Sequence, residues 1–258
     1  MTLDEIALED SIETAARWIV EARHVVVFTG AGLSTASGLP DYRGPDGVWT
    51  RRDKGLPPPA PRGPWTDIKP NEGHFAIVDL EKMGKVQFLI SQNVDGLHRA
   101  SGFPQGKLAE LHGNHNLMRC LSCDATFTKT EIGWSEAIHG TGYRTSPEQP
   151  NQPRCPDCGG RVISSVVNFE DPLPQQDLAA ATMHSKTLCD LFIVLGSSLV
   201  VTPAARMPLL AKRHGARLII NNKGETPYDQ IADLLVSFPI NDFFPPVVAR
   251  VCNLIHQR

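Results

Sequence analysis

Short apolar segments alternate with amphipathic segments along most of this chain. Six apolar segments have the length of strands and show no polar face: 24–29, 86–90, 162–167, 191–195, 217–220 and 234–238. Helical patterns precede or separate most of them, over residues 5–22, 71–83, 174–187, 203–213 and 244–256. Strands that are apolar on both faces and alternate with helices are typical of a parallel sheet buried on both sides. The alternation therefore predicts an α/β fold with a doubly wound, mostly parallel sheet.

A glycine-rich turn, GAGLSTASGLPDYRG, occupies residues 30–44 directly after the first predicted strand. Glycines at such a place let the backbone approach a pyrophosphate and present N–H groups at the start of a helix. The turn departs from the G-x-G-x-x-G dinucleotide pattern, because Thr35 occupies the third glycine position. A tight turn without a ligand is the alternative. The turn alone indicates a nucleotide site of an unusual kind.

Small polar residues follow three further predicted strands, at Gln92–Asp95, Gly196–Ser198 and Asn221–Lys223. Ligands of doubly wound sheets bind outside the carboxyl ends of the strands, and these groups suit phosphate, ribose and carboxamide oxygens. A dehydrogenase places an acidic residue on a second strand, about 20 positions after the glycines, to hold the adenosine ribose. The candidate here, Asp53, has no strand before it. If NAD binds, its ribose contacts therefore differ from those of a dehydrogenase.

Four of the six cysteines form two C-x-x-C pairs: Cys120, Cys123, Cys155 and Cys158. Four thiolates at this spacing predict a tetrahedral zinc site, and a closed four-cysteine site leaves no open position for catalysis. Disulfides are the alternative, which an intracellular chain disfavours. His115 and His139 lie near enough in sequence to be considered, but four cysteines suffice. Cys189 and Cys252 stand alone in apolar surroundings and fit buried hydrophobic positions.

The segment 119–161 interrupts the alternation of strands and helices. It carries both cysteine pairs and is poor in long aliphatic side chains, so we predict a small inserted zinc-ribbon module. Residues 1–118 and 162–258 then form a Rossmann-like NAD-binding domain. Residues 51–70 hold six prolines and predict a loop, because proline removes a helical hydrogen bond. Pro208 predicts a kink or an early end of the helix over 203–213.

The charge balance excludes some classes of partner. The chain has 25 basic and 28 acidic residues, a net charge of −3, so we expect no strong nucleic-acid binding. No apolar run approaches the roughly 18 residues of a membrane-spanning helix. The acidic segment 1–10 does not resemble a signal peptide. We expect a cytoplasmic protein without a membrane partner.

Two histidines are candidates for a general base. His98 follows the polar strand end at 92–95, and His112 lies beside a glycine just before the cysteine-rich segment. An ordinary imidazole pKa near 6.5 suits proton transfer at neutral pH. A hydrogen-bonded structural histidine is the alternative for each. The spacing does not choose between the two.

The motifs taken together resemble those of the sirtuins, which are NAD-dependent protein deacylases. The resemblance covers about residues 10–250 and rests on the turn at 30–44, QNVD at 92–95, LHGN at 111–114, the paired C-x-x-C motifs and GSS at 196–198. The runs RGPDGVWT at 43–50 and NFEDPLP at 168–174 are most similar to the class IV branch, which contains the nuclear, chromatin-associated members. Most sirtuins carry a helical module where this chain has the proline-rich loop.

The resemblance also implies roles for individual residues. His112 is expected to be the general base, with Asn93 and Asp95 beside the nicotinamide ribose and carboxamide. The implied NAD site comprises Gly30, Ala31, Gly32, Ser34, Asp41, Tyr42, Arg43, Gln92, Asn93, Asp95, Gly196, Ser197, Ser198, Asn221 and Asn222. The acyl-lysine is expected in a tunnel that ends near His112. Its peptide is expected to pair with the segment Val167, Asn168, Phe169 and Glu170.

The implied reaction is NAD-dependent deacylation of protein lysine, with structural zinc in the small module. It consumes NAD and yields nicotinamide, free lysine and O-acyl-ADP-ribose. Without the helical module the acyl tunnel is less enclosed, so we expect acetyl and also longer acyl chains to fit. Mono-ADP-ribosyl transfer to protein would use the same NAD site. A dehydrogenase and a non-catalytic binder of NAD or acyl-lysine are further alternatives.

Overall fold

The computed structural model describes residues 2–60, 63 and 67–257, and it contains nine named strands. They are β1 (Val25–Thr29), β2 (Val86–Ser91), β3 (Leu108–Glu110), β4 (Leu117–Cys120), β5 (Thr126–Thr128), β6 (Val162–Ser164), β7 (Leu191–Leu195), β8 (Arg217–Asn221) and β9 (Leu234–Val236). The α-helices are α1 (Leu3–Glu21), α2 (Val48–Asp53), α3 (Glu72–Lys82), α4 (Leu97–Ala100), α5 (Glu136–His139), α6 (Gln175–Met183), α7 (Met207–Arg213) and α8 (Ile240–His256).

The larger sheet has six strands in the order β3-β2-β1-β7-β8-β9, and all of its pairings are parallel. Every residue of β1 and β7 is buried, as expected of strands covered on both faces. One apolar core lies under α1, α3 and α8, and a second lies under α6 and α7. The predicted α/β fold with a doubly wound parallel sheet is confirmed.

The direction of winding reverses at β1. The chain proceeds from β1 outward to β2 and β3, then returns to β7 on the other side of β1 and continues to β8 and β9. Ligands of such sheets bind in the crevice where the strand order reverses, at the carboxyl ends of the strands. The fold therefore predicts a ligand site at the loops after β1, β2 and β7.

The smaller sheet is antiparallel, with the order β5-β4-β6. Its core is small and centres on Met118, Trp134 and Val162. The predicted strand over 162–167 is shorter than expected and belongs to this sheet, because β6 pairs with β4 and not with the large sheet. The small sheet thus includes residues on both sides of the predicted borders at 119 and 161. The division of the chain into domains stays a prediction.

Helix boundaries largely follow the caps that the sequence offers. Asn71 accepts the N–H of Gly73 and begins α3, as its position predicts. The prediction of a kink or an early end at Pro208 is wrong, because Pro208 lies in the first turn of α7, where a backbone N–H is not needed.

The proline-rich loop is interrupted only at its start, where α2 ends at Asp53. No further α-helix occurs in the described part of 54–70, and Pro61 and Pro64 lie outside the described residues. Among the residues that the structure describes, no helix combines the length and apolarity needed to cross a bilayer.

Candidate functional site

The loops after β1 and β7 meet in unusually close contact. Gly30 donates its N–H to Leu195 O at 3.0 Å, and Gly32 donates to Gly196 O at 2.8 Å. A Cβ on Gly32 would lie 2.7 Å from Gly196 Cα. One on Gly196, whose φ is +68°, would lie 2.4 Å from Leu33 N. Only glycine permits this approach, which lies at the switch point where a pyrophosphate would be expected.

Three predicted residues form one hydrogen-bonded cluster at this edge of the sheet. Ser34 donates its hydroxyl to Asp95 Oδ2 at 2.7 Å, and Asn93 Nδ2 lies 3.3 Å from Ser34 Oγ and 3.1 Å from Gly30 O. Asn93 is 7% exposed, so its amide is held almost entirely by protein contacts. The cluster joins the glycine turn after β1 to the loop after β2.

A second contact joins the loops after β2 and β7, since Ser197 donates its hydroxyl to Gln92 Oε1 at 2.6 Å. At the end of β8, the buried Asn221 donates Nδ2 to Val236 O and Phe238 O. Its Oδ1 is buried with no hydrogen-bond partner among the described residues. The structure therefore brings these predicted residues to one edge, although Asn221 lies beneath the surface.

The remaining predicted residues of these strand ends are partly buried: Ala31, Ser198 and Asn222. Asn222 donates its side-chain amide to Gly224 O at 2.8 Å, which closes the turn after β8. Asp53, considered as a ribose ligand, lies at the exposed end of α2 and pairs with Arg52 at 2.9 Å.

The structure distinguishes the two candidate bases. His112 Nδ1 lies 3.0 Å from Gln92 O. A carbonyl oxygen only accepts, so Nδ1 carries the proton and Nε2 keeps a free lone pair. Burial lowers the pKa of His112, against the raising effect of that hydrogen bond, so the neutral base form is favoured.

His98 lies deeper in the fold. It is 2% exposed, and its Nε2 lies 2.8 Å from the hydroxyl of Thr29, at the end of β1. Burial and the neighbouring His74 keep its pKa well below 6.5. A side chain so enclosed has no access to a substrate proton, and His112 is the better candidate base.

The end of the glycine turn is hydrogen-bonded to the start of α2, where Val48 and Trp49 donate their N–H groups to Asp41 O and Tyr42 O. Asp41 accepts the N–H of Gly44 at 3.0 Å and so shapes the loop. Tyr42 stacks on Trp49 with ring centroids 5.6 Å apart, and burial, followed by the charge of Asp95, raises the pKa of Tyr42. Arg43 is exposed and makes no hydrogen bond or ion pair with the described residues. It is therefore free to meet an anionic ligand.

The predicted peptide segment is tied to the candidate base. Val167 donates its N–H to His112 O at 2.9 Å, and the next three residues are exposed. Phe169, 69% exposed, contacts Trp49 with centroids 5.8 Å apart. The aromatic pair links α2 to the predicted peptide segment.

Several buried residues that hydrogen-bond beneath the site were not predicted from the sequence. Thr29 and Ser91 end β1 and β2, and their hydroxyls lie 3.1 Å apart. Ser165 exchanges hydrogen bonds with the backbone of Asn114, beside the base. A polar residue at the last position of an otherwise apolar strand was the available signal for Thr29 and Ser91.

The four predicted zinc ligands meet in the small sheet. Cys120 is the last residue of β4 and Cys123 follows it, and Cys155 and Cys158 precede β6. Their sulfur atoms all lie within 4.8 Å of one another, with neighbouring pairs at 3.4–3.7 Å. Tetrahedral zinc with Zn–S bonds of about 2.3 Å requires S···S distances of roughly 3.8 Å. A disulfide needs about 2.05 Å. The tetrad is therefore compatible with structural zinc.

Known proteins are similar to this chain in both sequence and fold. The Sir2 family model matches residues 61–203. The NAD-dependent protein deacetylase SRT1 of Oryza sativa subsp. indica is 43% identical over 253 residues, which cover 97% of this chain and 49% of that protein. The NAD-dependent protein deacylase 2 of Archaeoglobus fulgidus is 38% identical, with 97% of this chain and 100% of that protein covered.

A solved structure resembles the whole chain. It is the structure of Sir2Af2 bound to a myristoylated histone peptide, with a TM-score of 0.66 and 35% identity. The match covers 97% of this chain and 100% of that chain. In contrast, this chain spans about half the length of the rice relative.

Proposed function

This chain belongs to the Sir2 family, and from that premise we propose that it is an NAD-dependent protein-lysine deacylase. Its substrates are an acyl-lysine in a protein or peptide and NAD. Its products are nicotinamide, free lysine and O-acyl-ADP-ribose. Relatives named deacetylase or deacylase and the likeness to a peptide-bound structure support the proposal.

One observation carries the proposal beyond the likeness. His112 presents an unprotonated Nε2 while its Nδ1–H is held by Gln92 O, and the residue after Gln92 is part of the Asn93–Ser34–Asp95 cluster. The same histidine holds the peptide segment through its own backbone oxygen. A base between a nucleotide site and a peptide segment fits a reaction that joins the two substrates.

Each group then has a defined task. The acyl oxygen, positioned beside the ribose, displaces nicotinamide in an effectively unimolecular step. Neutral His112 removes a proton from a ribose hydroxyl, whose oxygen attacks the former acyl carbon. Water then releases free lysine, and the acyl group remains on ADP-ribose.

The zinc site has a structural task. The small sheet has a core of few residues, too little to fold by burial alone. Zinc held by the four cysteines would close the loops before β6 and after β4 onto one point, and four protein ligands leave no position for a substrate.

Two finer proposals concern substrate and branch. The motifs at 43–50 and 168–174 support a place in the class IV branch. The proline-rich loop supports acceptance of longer acyl chains, because it leaves the tunnel less enclosed. The related structure with a myristoylated histone peptide is consistent with that preference.

The test measures the fate of NAD with an acetyl-lysine peptide. Nicotinamide release that requires the peptide, together with O-acetyl-ADP-ribose, is the expected result. Labelled ADP-ribose that stays on protein would indicate ADP-ribosyl transfer instead. NADH absorbance would indicate a dehydrogenase, and NAD binding without nicotinamide release would indicate a non-catalytic binder.

A further inference from the structure

A chain of buried hydrogen bonds connects His98 to the loop that carries the predicted nicotinamide-side residues. His98 Nε2 lies 2.8 Å from Thr29 Oγ1, and Thr29 donates its hydroxyl to Ser91 Oγ at 3.1 Å. Ser91 Oγ also accepts the N–H of Asn93 at 3.0 Å. Since the Thr29 hydroxyl donates to Ser91, it accepts from His98, whose Nε2 then carries the proton. Every link of this chain is fully or almost fully buried.

Thr29 therefore anchors both ends of one loop. The loop 92–97 begins after Ser91, the last residue of β2, and ends at the start of α4, which carries His98. One end is fixed to Thr29 through Ser91, and the other through His98. Between these anchors, Leu97 N–H donates to Asp95 Oδ1 at 2.9 Å, so the position of Asp95 depends on where α4 begins.

His98 is itself held from its other side. His74 of α3 packs against it with ring centroids 5.1 Å apart, and His74 Nδ1 accepts the N–H of Asn71 at 3.3 Å. Burial lowers the pKa of His74 to about 4, and the pKa of His98 is lower than usual as well. Both rings are neutral at neutral pH. Among the described residues, Asp95 is the charged group that acts on His74, and its raising effect on the pKa is smaller than the lowering effect of burial.

We propose that Thr29 is a positioning residue that holds both ends of the loop 92–97, one through Ser91 and the other through His98. The fixed loop orients Asn93 and Asp95 toward NAD. Thr29 is fully buried, and its task is distinct from that of the base His112. The inference rests on the proposed function only for its kinetic consequences, because the anchoring itself is a property of the fold.

The variants separate anchoring from simple loss of stability. Thr29→Val keeps the shape of the side chain and removes the hydroxyl, whereas Thr29→Ser keeps the hydroxyl. Ser91→Ala removes the next link and is a second variant should Thr29→Val fold poorly. Val86→Ala is the matched control, because Val86 is fully buried at the opposite end of β2. It lowers stability without touching the loop.

Two readouts are needed. The first is kcat for nicotinamide release, measured beside the dissociation constant of the acyl-lysine peptide. The second is hydrogen exchange of the amides of Asn93 and Leu97, which does not depend on any activity. We expect Thr29→Val to lower kcat about tenfold and accelerate both amides, with peptide binding unchanged. Thr29→Ser should stay within about twofold of wild type, and Val86→Ala should change neither readout.

The outcomes are distinguishable. Wild-type kcat and wild-type exchange of the Leu97 amide in both Thr29→Val and Ser91→Ala would overturn the inference. So would a loss of kcat in Val86→Ala equal to that in Thr29→Val at the same melting temperature. If the wild-type protein releases no nicotinamide, the proposed function fails, and the amide exchange alone decides whether Thr29 anchors the loop.

Discussion

Replacing Gly113 by alanine tests the link between the base and the peptide segment. Gly113 follows His112 and has φ of +77°. A Cβ there would lie 1.8 Å from Ser165 O. Gly84, after α3, has a similar φ of +71° and no atom within 4 Å of its added Cβ. Comparing Gly113→Ala with Gly84→Ala separates backbone strain from steric collision, because Gly84→Ala introduces only the strain.

The expected magnitudes follow from this geometry. Left-handed backbone costs alanine about 1–2 kcal/mol, so Gly84→Ala should lower the melting temperature by roughly 2–6 °C in a chain of this size. In Gly113→Ala the segment at Ser165 must also move by about 2 Å to reach van der Waals contact. Such overpacking adds about 1–3 kcal/mol. The total of about 2–5 kcal/mol corresponds to a loss of roughly 5–15 °C.

The two variants should differ more clearly in activity than in stability. Moving Ser165 breaks its hydrogen bonds with Asn114 and stretches the 2.9 Å bond from Val167 N to His112 O. We expect kcat/KM for the peptide to fall at least tenfold, on the order of one lost buried hydrogen bond. Calorimetry and steady-state kinetics on both variants measure this. Equal melting temperatures and equal kcat/KM in the two variants would refute the reasoning.

Three further predictions concern pH, metal and acyl chain. Burial lowers the pKa of His112 below 6.5, and the neutral form is the base. We therefore expect kcat/KM to fall with unit slope as the pH drops through that lowered pKa. An acidic limb centred above pH 6.5 in a pH–rate profile would contradict this. The purified protein should hold one zinc per chain, and Cys155→Ser should release it and lower the melting temperature; a metal assay far below one zinc per chain in wild type would remove the four-cysteine site. Myristoyl-lysine peptide should be deacylated with kcat/KM at least equal to that of acetyl-lysine peptide, and a wide preference for acetyl would remove the open-tunnel argument.

The parallel sheet was predictable because its signal is local. Residues 25–28 and 191–195 are apolar at every position, and only a sheet covered on both faces buries all of them. The strand at 162–164 is also buried at every position, yet its partner is β4. Apolarity predicts burial but does not identify the partner strand, so the sequence placed this strand in the wrong sheet.

The candidate site was likewise predictable only in part. The turn at 30–44 and the polar strand ends were visible, because glycine and small polar residues stand out after apolar runs. The choice between His98 and His112 was not visible. It depends on Thr29, which is 69 positions from His98 in sequence, and on Gln92 O, a backbone atom that no side-chain pattern reveals.

The most direct test of the account is mass spectrometry of an acetyl-lysine peptide incubated with NAD. The wild-type protein should form deacetylated peptide, nicotinamide and O-acetyl-ADP-ribose in equal amounts. His112→Ala should still bind NAD but form these products about 10²–10⁴-fold more slowly, the usual contribution of a general base. O-acetyl-ADP-ribose formed by His112→Ala at the wild-type rate would contradict the assignment of the base and the mechanism built on it.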